Sequence, residues 1–148
     1  MSSKSPIGYI DIRVFAHATE DTDKVLLAVH NTFPSELKED VVFKETQLTG
    51  YYKNPITLYQ TRLIDKQTLI PTLKYLSSKV NSLDKENLAN HINIHLDKGN
   101  LYLRFDKQLA YNNMLKFSTK DPIHFKIHFK NKTSKELIAL CEELGLLS

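Results

Sequence analysis

Tyr102, Arg104, Asp106, Lys107 and Gln108 fall close together in the stretch Leu101 to Tyr111, LYLRFDKQLAY. Their types suit recognition better than bond-making. A tyrosine ring stacks on a planar base, and an arginine fork makes two parallel hydrogen bonds to a phosphate. The histidines invite two other readings. His17 and His95, with Asp11 or Asp97, could move protons, but no motif places a nucleophile or a third orienting group beside them. His124 and His128 lie four apart, roughly 13 Å between α-carbons if the segment is a strand, which is too far to share one zinc easily. The expectation is no catalytic residue, no metal and no cofactor.

The elements that must position these residues follow from periodicity. In Leu101 to Asp106 the apolar Leu101, Leu103 and Phe105 point one way and Tyr102, Arg104 and Asp106 the other. Ile7 to Ala18 alternates in the same manner, with Ile10, Ile12, Val14 and Ala16 opposed to Asp11, Arg13, Phe15 and His17. Thr19 reads as the N-cap of a helix carrying Val25, Leu26, Val29 and Phe33 and ended by Pro34. A strand over Asp40 to Leu48 and another over Ile56 to Ile64 form a hairpin around the loop Thr49 to Pro55, TGYYKNP. Tyr51 and Tyr52 in that loop suit packing as well as stacking on a base.

A helix from near Gln67 carries Leu69, Leu73, Leu76 and Val80, with Pro71 expected in its first turn. Asp84 to Asn87 opens a short helical turn or loop. Ile92, Ile94 and Leu96 alternate with Asn93, His95 and Asp97 as a strand, and Lys98-Gly99-Asn100 turns it into Leu101 to Asp106. After a short irregular or helical link over Leu109 to Met114, Ile123, Phe125, Ile127 and Phe129 face a core opposite His124, Lys126, His128 and Lys130. Thr133 and Glu136 form a capping box for a last helix that Gly145 stops.

The pattern predicts a single α+β domain over 1–148, residues 1–6 being a flexible polar tail. Its sheet is mixed but mostly antiparallel, with helices on one face. At 148 residues, 41% apolar and 25% charged, the chain can bury a substantial core and is far from the composition of disorder. Residues 98 to 132 hold eight Lys or Arg against two Asp in a chain whose total charge is only +3. That concentration favours a polyanionic partner. The single cysteine, Cys141, excludes an internal disulfide and a multi-cysteine zinc site. No stretch approaches the roughly 18 apolar residues of a membrane span, so the expected location is the cytoplasm, with no membrane partner.

Three ordered motifs carry a family resemblance. They are Phe15-Ala16-His17-Ala18-Thr19-Glu20-Asp21, then Asn54-Pro55-Ile56 after Gly50, then the Arg104-x-Asp106-Lys107-Gln108 segment. Together, over about Ile10 to Phe129, they resemble archaeal RNA-binding proteins described as predicted exosome subunits. The fold of that family is similar to the ribosomal protein that contacts 5S RNA and is related by some to double-stranded-RNA-binding domains. The sequence departs at Tyr51 and Lys53, where the family more often has His and Gly, and at Asn112-Asn113, where a glycine is common.

The resemblance implies RNA binding and association with RNA processing or degradation, with the exosome or other RNA-processing proteins as partners. Residue pattern and resemblance together suggest Arg13, Arg104, Lys107, Lys126 and Lys130 for phosphates and Tyr102 or Tyr111 for a base or sugar. Lys53 and Asn54 would contribute from the loop, with His17 and Gln108 from the matched motifs. The competing reading is a protein-interaction subunit, or a homodimer, whose sheet face docks onto a larger assembly. A hydrolase using the histidines is a third.

Overall fold

The computed structural model describes residues 6–130 and 132–147. In chain order it runs β1 (Ile7–His17), α1 (Thr22–His30), β2 (Lys44–Thr49), β3 (Pro55–Leu63), α2 (Lys66–Lys79), α3 (Ser82–Asn90) and α4 (Ile92–His95). It continues through β4 (Leu96–Asp97), β5 (Asn100–Phe105), α5 (Lys107–Tyr111), β6 (Ile123–Phe129) and α6 (Ser134–Glu143). The six strands form one sheet in the order β2-β3-β1-β6-β5-β4. Every neighbouring pair is antiparallel, so the sheet is not mixed.

Alternation in the strands decides which side is sealed. Ile10, Ile12, Val14 and Ala16 of β1 are buried together with Leu101, Leu103 and Phe105 of β5 and Ile123, Phe125, Ile127 and Phe129 of β6. They share one core with Val25 and Val29 of α1, Leu69, Leu73 and Leu76 of α2, and Leu137 and Cys141 of α6. Burying each such large apolar side chain stabilises the fold by about 1.5 to 3 kcal/mol, so a slip of one residue in register would be strongly opposed. Burial raises the Cys141 thiol to about 12, with Glu142 adding to the shift, so this cysteine acts as a small core residue.

Several boundaries differ from the sequence expectation. α1 is capped by Asp21, whose side chain accepts from the Asp23 N–H, and not by Thr19. Glu20 instead folds back so that its carboxylate accepts from His17 N at 3.0 Å. α1 ends at His30 rather than running to Pro34, and Phe33 buries in the turn that follows. β2 begins at Lys44 rather than Asp40, because residues 37–41 close a turn in which Val41 N donates to Leu37 O at 3.2 Å. α3 is a nine-residue helix capped by Asn81 where a short helical turn or loop was expected.

Pro71 lies in the second turn of α2, not the first. The N–H it lacks would have met the Gln67 carbonyl, and burial of the neighbouring Leu69, Thr72 and Leu73 holds the helix across that gap.

The largest change concerns Ile92 to Leu96, expected as a strand. A strand would put Ile92, Ile94 and Leu96 on one face, yet Ile92 is buried while Ile94 is 79% exposed. A single turn, in which Ile94 N donates to His91 O at 3.1 Å, replaces the ladder and leaves β4 only two residues. Asn93 and His95 therefore leave the sheet.

Other expectations hold. Lys98 and Gly99, with φ of 49° and 85°, make the tight β4–β5 turn. Thr133 and Glu136 form the capping box. Pro6, placed in the flexible tail by the sequence reading, is tied down because its carbonyl accepts from Lys130 N at 2.8 Å. Residues 1–5 lie outside the described residues. Among the described residues no helix is long and apolar enough to cross a membrane.

Candidate nucleic-acid interface

Residues paired across antiparallel strands point to the same side, so the registers build the open face row by row. Lys44 pairs with Gln60, Gln60 with Arg13, Arg13 with His124, and His124 with Arg104. One line of side chains thus crosses five neighbouring strands, about 19 Å at the usual strand spacing. The next row holds Arg62, Asp11, Lys126 and Tyr102, and the next Tyr9, His128 and Asn100. A shallow cleft of about 610 Å³ lies over the first two rows, and every described residue lining it belongs to a strand. Helices therefore leave this side uncovered.

Its charge is one-sided. Asp11 is the sole carboxylate among the described residues lining the cleft, beside Arg13, Lys44, Arg62, His124 and Lys126. Arg62 neutralises it through a forked pair, Nε to Oδ1 at 2.6 Å and Nη2 to Oδ2 at 2.8 Å. The Arg62 guanidinium also covers the Tyr9 ring at 3.9 Å from the centroid, with Lys126 Nζ at 5.6 Å. His128 stacks on Tyr9 at 4.7 Å and takes a hydrogen bond with Asn100 Oδ1 at 2.8 Å.

Gly8 makes this stack possible. A Cβ there would lie 2.8 Å from His128 Cδ2. Burial, and then the charges of Arg13 and Arg104, hold His124 below the ordinary histidine value. The centre of the row is thereby kept neutral between two cations.

The structure divides the residues expected from sequence. Arg13, Tyr102, Arg104 and Lys126 lie together on the open face. Lys130, exposed just after β6, lies beside Gly8, its Cγ 3.5 Å from where a Gly8 Cβ would be. Lys53 and Asn54 are exposed at the tip of the β2–β3 hairpin, Lys53 with a left-handed φ of 59°. Gln108 and Tyr111 lie on α5, which packs against α1 through Asn31 Nδ2 donating to Ala110 O at 3.0 Å and Tyr111 O at 3.2 Å. They line a separate cleft with Lys24 and Lys120.

Lys107 was expected to engage a phosphate, but it is buried. Its Nζ donates to Phe15 O at 2.7 Å, Glu20 Oε1 at 2.9 Å and Asp121 Oδ2 at 2.7 Å. Asp106 is the N-cap of α5 and accepts from Leu109 N at 2.8 Å.

His17 pairs with Asp121 Oδ1 at 3.1 Å, whereas His95 Nδ1 meets Tyr102 O at 3.2 Å, so the two histidines serve different parts of the molecule. The ligand atoms of His17, Glu20 and Asp121 lie within 4.8 Å of one another, an arrangement of the kind that holds a cation. The Lys107 ammonium already bridges both carboxylates.

Sequence reading missed Tyr9, Lys44, Gln60 and Arg62 as members of the face. Parity along β1 signals Tyr9, because it shares the odd positions of Asp11 and Arg13. The others needed the β1–β3 and β2–β3 registers, which no local pattern supplies.

Comparison with known proteins gives a consistent picture. Residues 9–129 match a family model described as RNA binding. An RNA-binding protein of Pyrococcus abyssi is 36% identical over 133 residues, covering 88% of this chain and 86% of that protein. An uncharacterised protein of Methanocaldococcus jannaschii is 33% identical over 147 residues, covering 92% and 97%. Among solved structures, a DUF54 protein of Methanothermobacter thermautotrophicus has a TM-score of 0.74 at 26% identity, covering 96% of this chain and 98% of that one. A protein of Archaeoglobus fulgidus reaches 0.76 at 23% identity, covering 93% and 99%, a likeness of fold. The chain belongs to the RNA-binding family whose model its residues 9–129 match.

Proposed function

We propose that the protein is a non-enzymatic RNA-binding module and that the uncovered sheet face is its landing surface. The observation that carries this reading is the row Lys44, Gln60, Arg13, His124 and Arg104 across five strands. Such a row can follow a phosphate backbone, and neutralising phosphates supplies most of the affinity of a sequence-tolerant RNA binder. Tyr102 and Lys126, one row away, would meet a base or sugar and a further phosphate. Lys130 and the hairpin residues Lys53 and Asn54 extend the binding surface at the two ends of the face. His17, Gln108 and Tyr111 contribute from the margin, whereas Lys107 holds the fold.

The test is a filter-binding titration of the purified protein with RNA at two salt concentrations. Micromolar or tighter, strongly salt-dependent binding that is weakened by substitutions in the row supports the reading. Binding that ignores both salt and these substitutions overturns it.

A place in RNA processing or degradation beside the exosome, and a relation to the 5S-RNA-contacting ribosomal protein, belong to the same proposal through the sequence resemblance. One observation favours a protein-docking or homodimeric use: β2 is an edge strand whose Leu48 is 41% exposed. Association that survives high salt and nuclease would support that second use.

A further inference from the structure

A second pocket, of about 540 Å³, opens where α3 and α4 meet β5 and the loop Phe117 to Lys120. Its walls differ from those of the sheet cleft. Phe117 presents a half-buried ring backed by Phe105, whose centroid lies 5.3 Å away. Ile94 lines the same pocket, 79% exposed because α4 turns it out of the core. Together with the Phe117 ring it offers an apolar surface on which a planar group can pack.

Around this apolar floor Arg104 and Lys120 bring two cations and Ser118 and Thr119 two hydroxyls, beside Asn87, His91 and His95. Among the described residues neither Arg104 nor Lys120 forms an ion pair. Asp84, the one carboxylate among the described residues of the wall, accepts the Phe117 N–H at 3.3 Å. Arg104 is also the last member of the five-strand row, so the pocket begins where that row ends.

We propose that this pocket seats an unpaired nucleotide of single-stranded RNA, its base against Phe117 and Ile94 and its phosphate between Arg104 and Lys120. The inference deepens the RNA-binding reading and rests on it. A base in a duplex is stacked and paired and cannot enter, whereas an unpaired base gains from an aromatic ring. The sheet face then holds the backbone, and the pocket makes the protein prefer a strand end, bulge or overhang to a blunt duplex.

The experiment uses fluorescence anisotropy with two labelled probes, a blunt RNA duplex and the same duplex carrying a short uridine overhang. The proteins are the wild type, I94S and F117L, neither of which changes charge; leucine keeps apolar packing against Phe105. Circular dichroism of each variant checks the fold.

The expected result is that the overhang tightens wild-type binding roughly tenfold, as one or two stacked bases would. Both variants should lose that gain while binding the blunt duplex unchanged. An overhang that adds nothing, or a gain that survives both substitutions, overturns the pocket while leaving the sheet face standing. Failure of both probes to bind the wild type overturns the RNA-binding reading and the pocket with it.

Discussion

The Lys107 ammonium lies 2.7 Å from Asp121 Oδ2, enclosed at the end of β1 and not on the open face. Burial works against the Asp121 charge, but the hydrogen bonds from Lys107 and then His17 outweigh it and hold the carboxyl below its ordinary value of 3.8. The lysine thus stitches α5, the turn holding Glu20 and the loop before β6 to one another.

Lys107→Met keeps the length of the side chain and removes its charge, leaving two carboxylates and the Phe15 carbonyl without their donor. Its expected cost is about 2 to 3 kcal/mol, less than for a fully enclosed pair because Glu20 and Asp121 remain partly exposed. The Asp121 contribution to stability is present above pH 3.8 and is lost as pH falls through its lower folded value. Urea unfolding across that acid range should show a flatter pH dependence in the variant. Equal stability of the two proteins at neutral pH would contradict this account.

Arg13 and Arg104 flank His124 in the cross-strand row and, among the described residues, take part in no ion pair. Replacing both with Ala should leave the unfolding midpoint nearly unchanged. The slope of log affinity against log salt should fall by roughly 0.7 to 0.9 for each phosphate that is no longer neutralised. An unaltered slope would move RNA off this face.

His124 is kept neutral by burial and by the Arg13 and Arg104 charges, with Lys126 on its own strand and Asp11 across the next row. Because its folded pKa is lowered, the stability it contributes is present above pH 6.5 and is lost as pH falls through the folded value. Phosphates bound along the row would oppose the arginine charges and favour protonation, so binding takes up a proton. RNA affinity should therefore rise as pH falls below 6.5, and His124→Gln should remove that part of the rise. A variant with the wild-type pH profile would assign the proton elsewhere.

Asp11 is the single carboxylate among the described residues lining the cleft, and it occupies both arms of the Arg62 guanidinium. Asp11→Asn removes a repulsive charge and frees the arginine. A unit charge at about 4 Å in water is worth roughly 1 kcal/mol, so RNA should bind about fivefold tighter at low salt, the gain shrinking as salt is added. Weaker binding would mean that Asp11 is needed to hold Arg62 and Tyr9 in place.

Much of this architecture is written in local pattern. Alternation in Ile7 to His17, Leu101 to Phe105 and Ile123 to Phe129 marks two-sided strands, since a pleated backbone sends successive side chains to opposite faces. Thr133 with Glu136 and the Lys98-Gly99 turn are equally local. The same alternation misled at Ile92 to Leu96, where apolar residues two apart also fit a helical turn that buries Ile92 and exposes Ile94. Periodicity over five residues does not separate the two.

From its sequence alone this chain is committed to strands with one oily and one polar side, to helices able to seal the oily side, and to cations gathered between residues 98 and 132. Tertiary structure decided which polar side chains stand together on the open face. Lys44, Gln60, Arg13, His124 and Arg104 come from five strands and meet only through inter-strand register. Lys107 continues the buried parity of Leu101, Leu103 and Phe105, and its ammonium can lie inside because Glu20 and Asp121, distant along the chain, accept its hydrogen bonds. Face and period are properties of neighbours in sequence, while register and ion pairing depend on contacts that exist only once the chain has closed on itself.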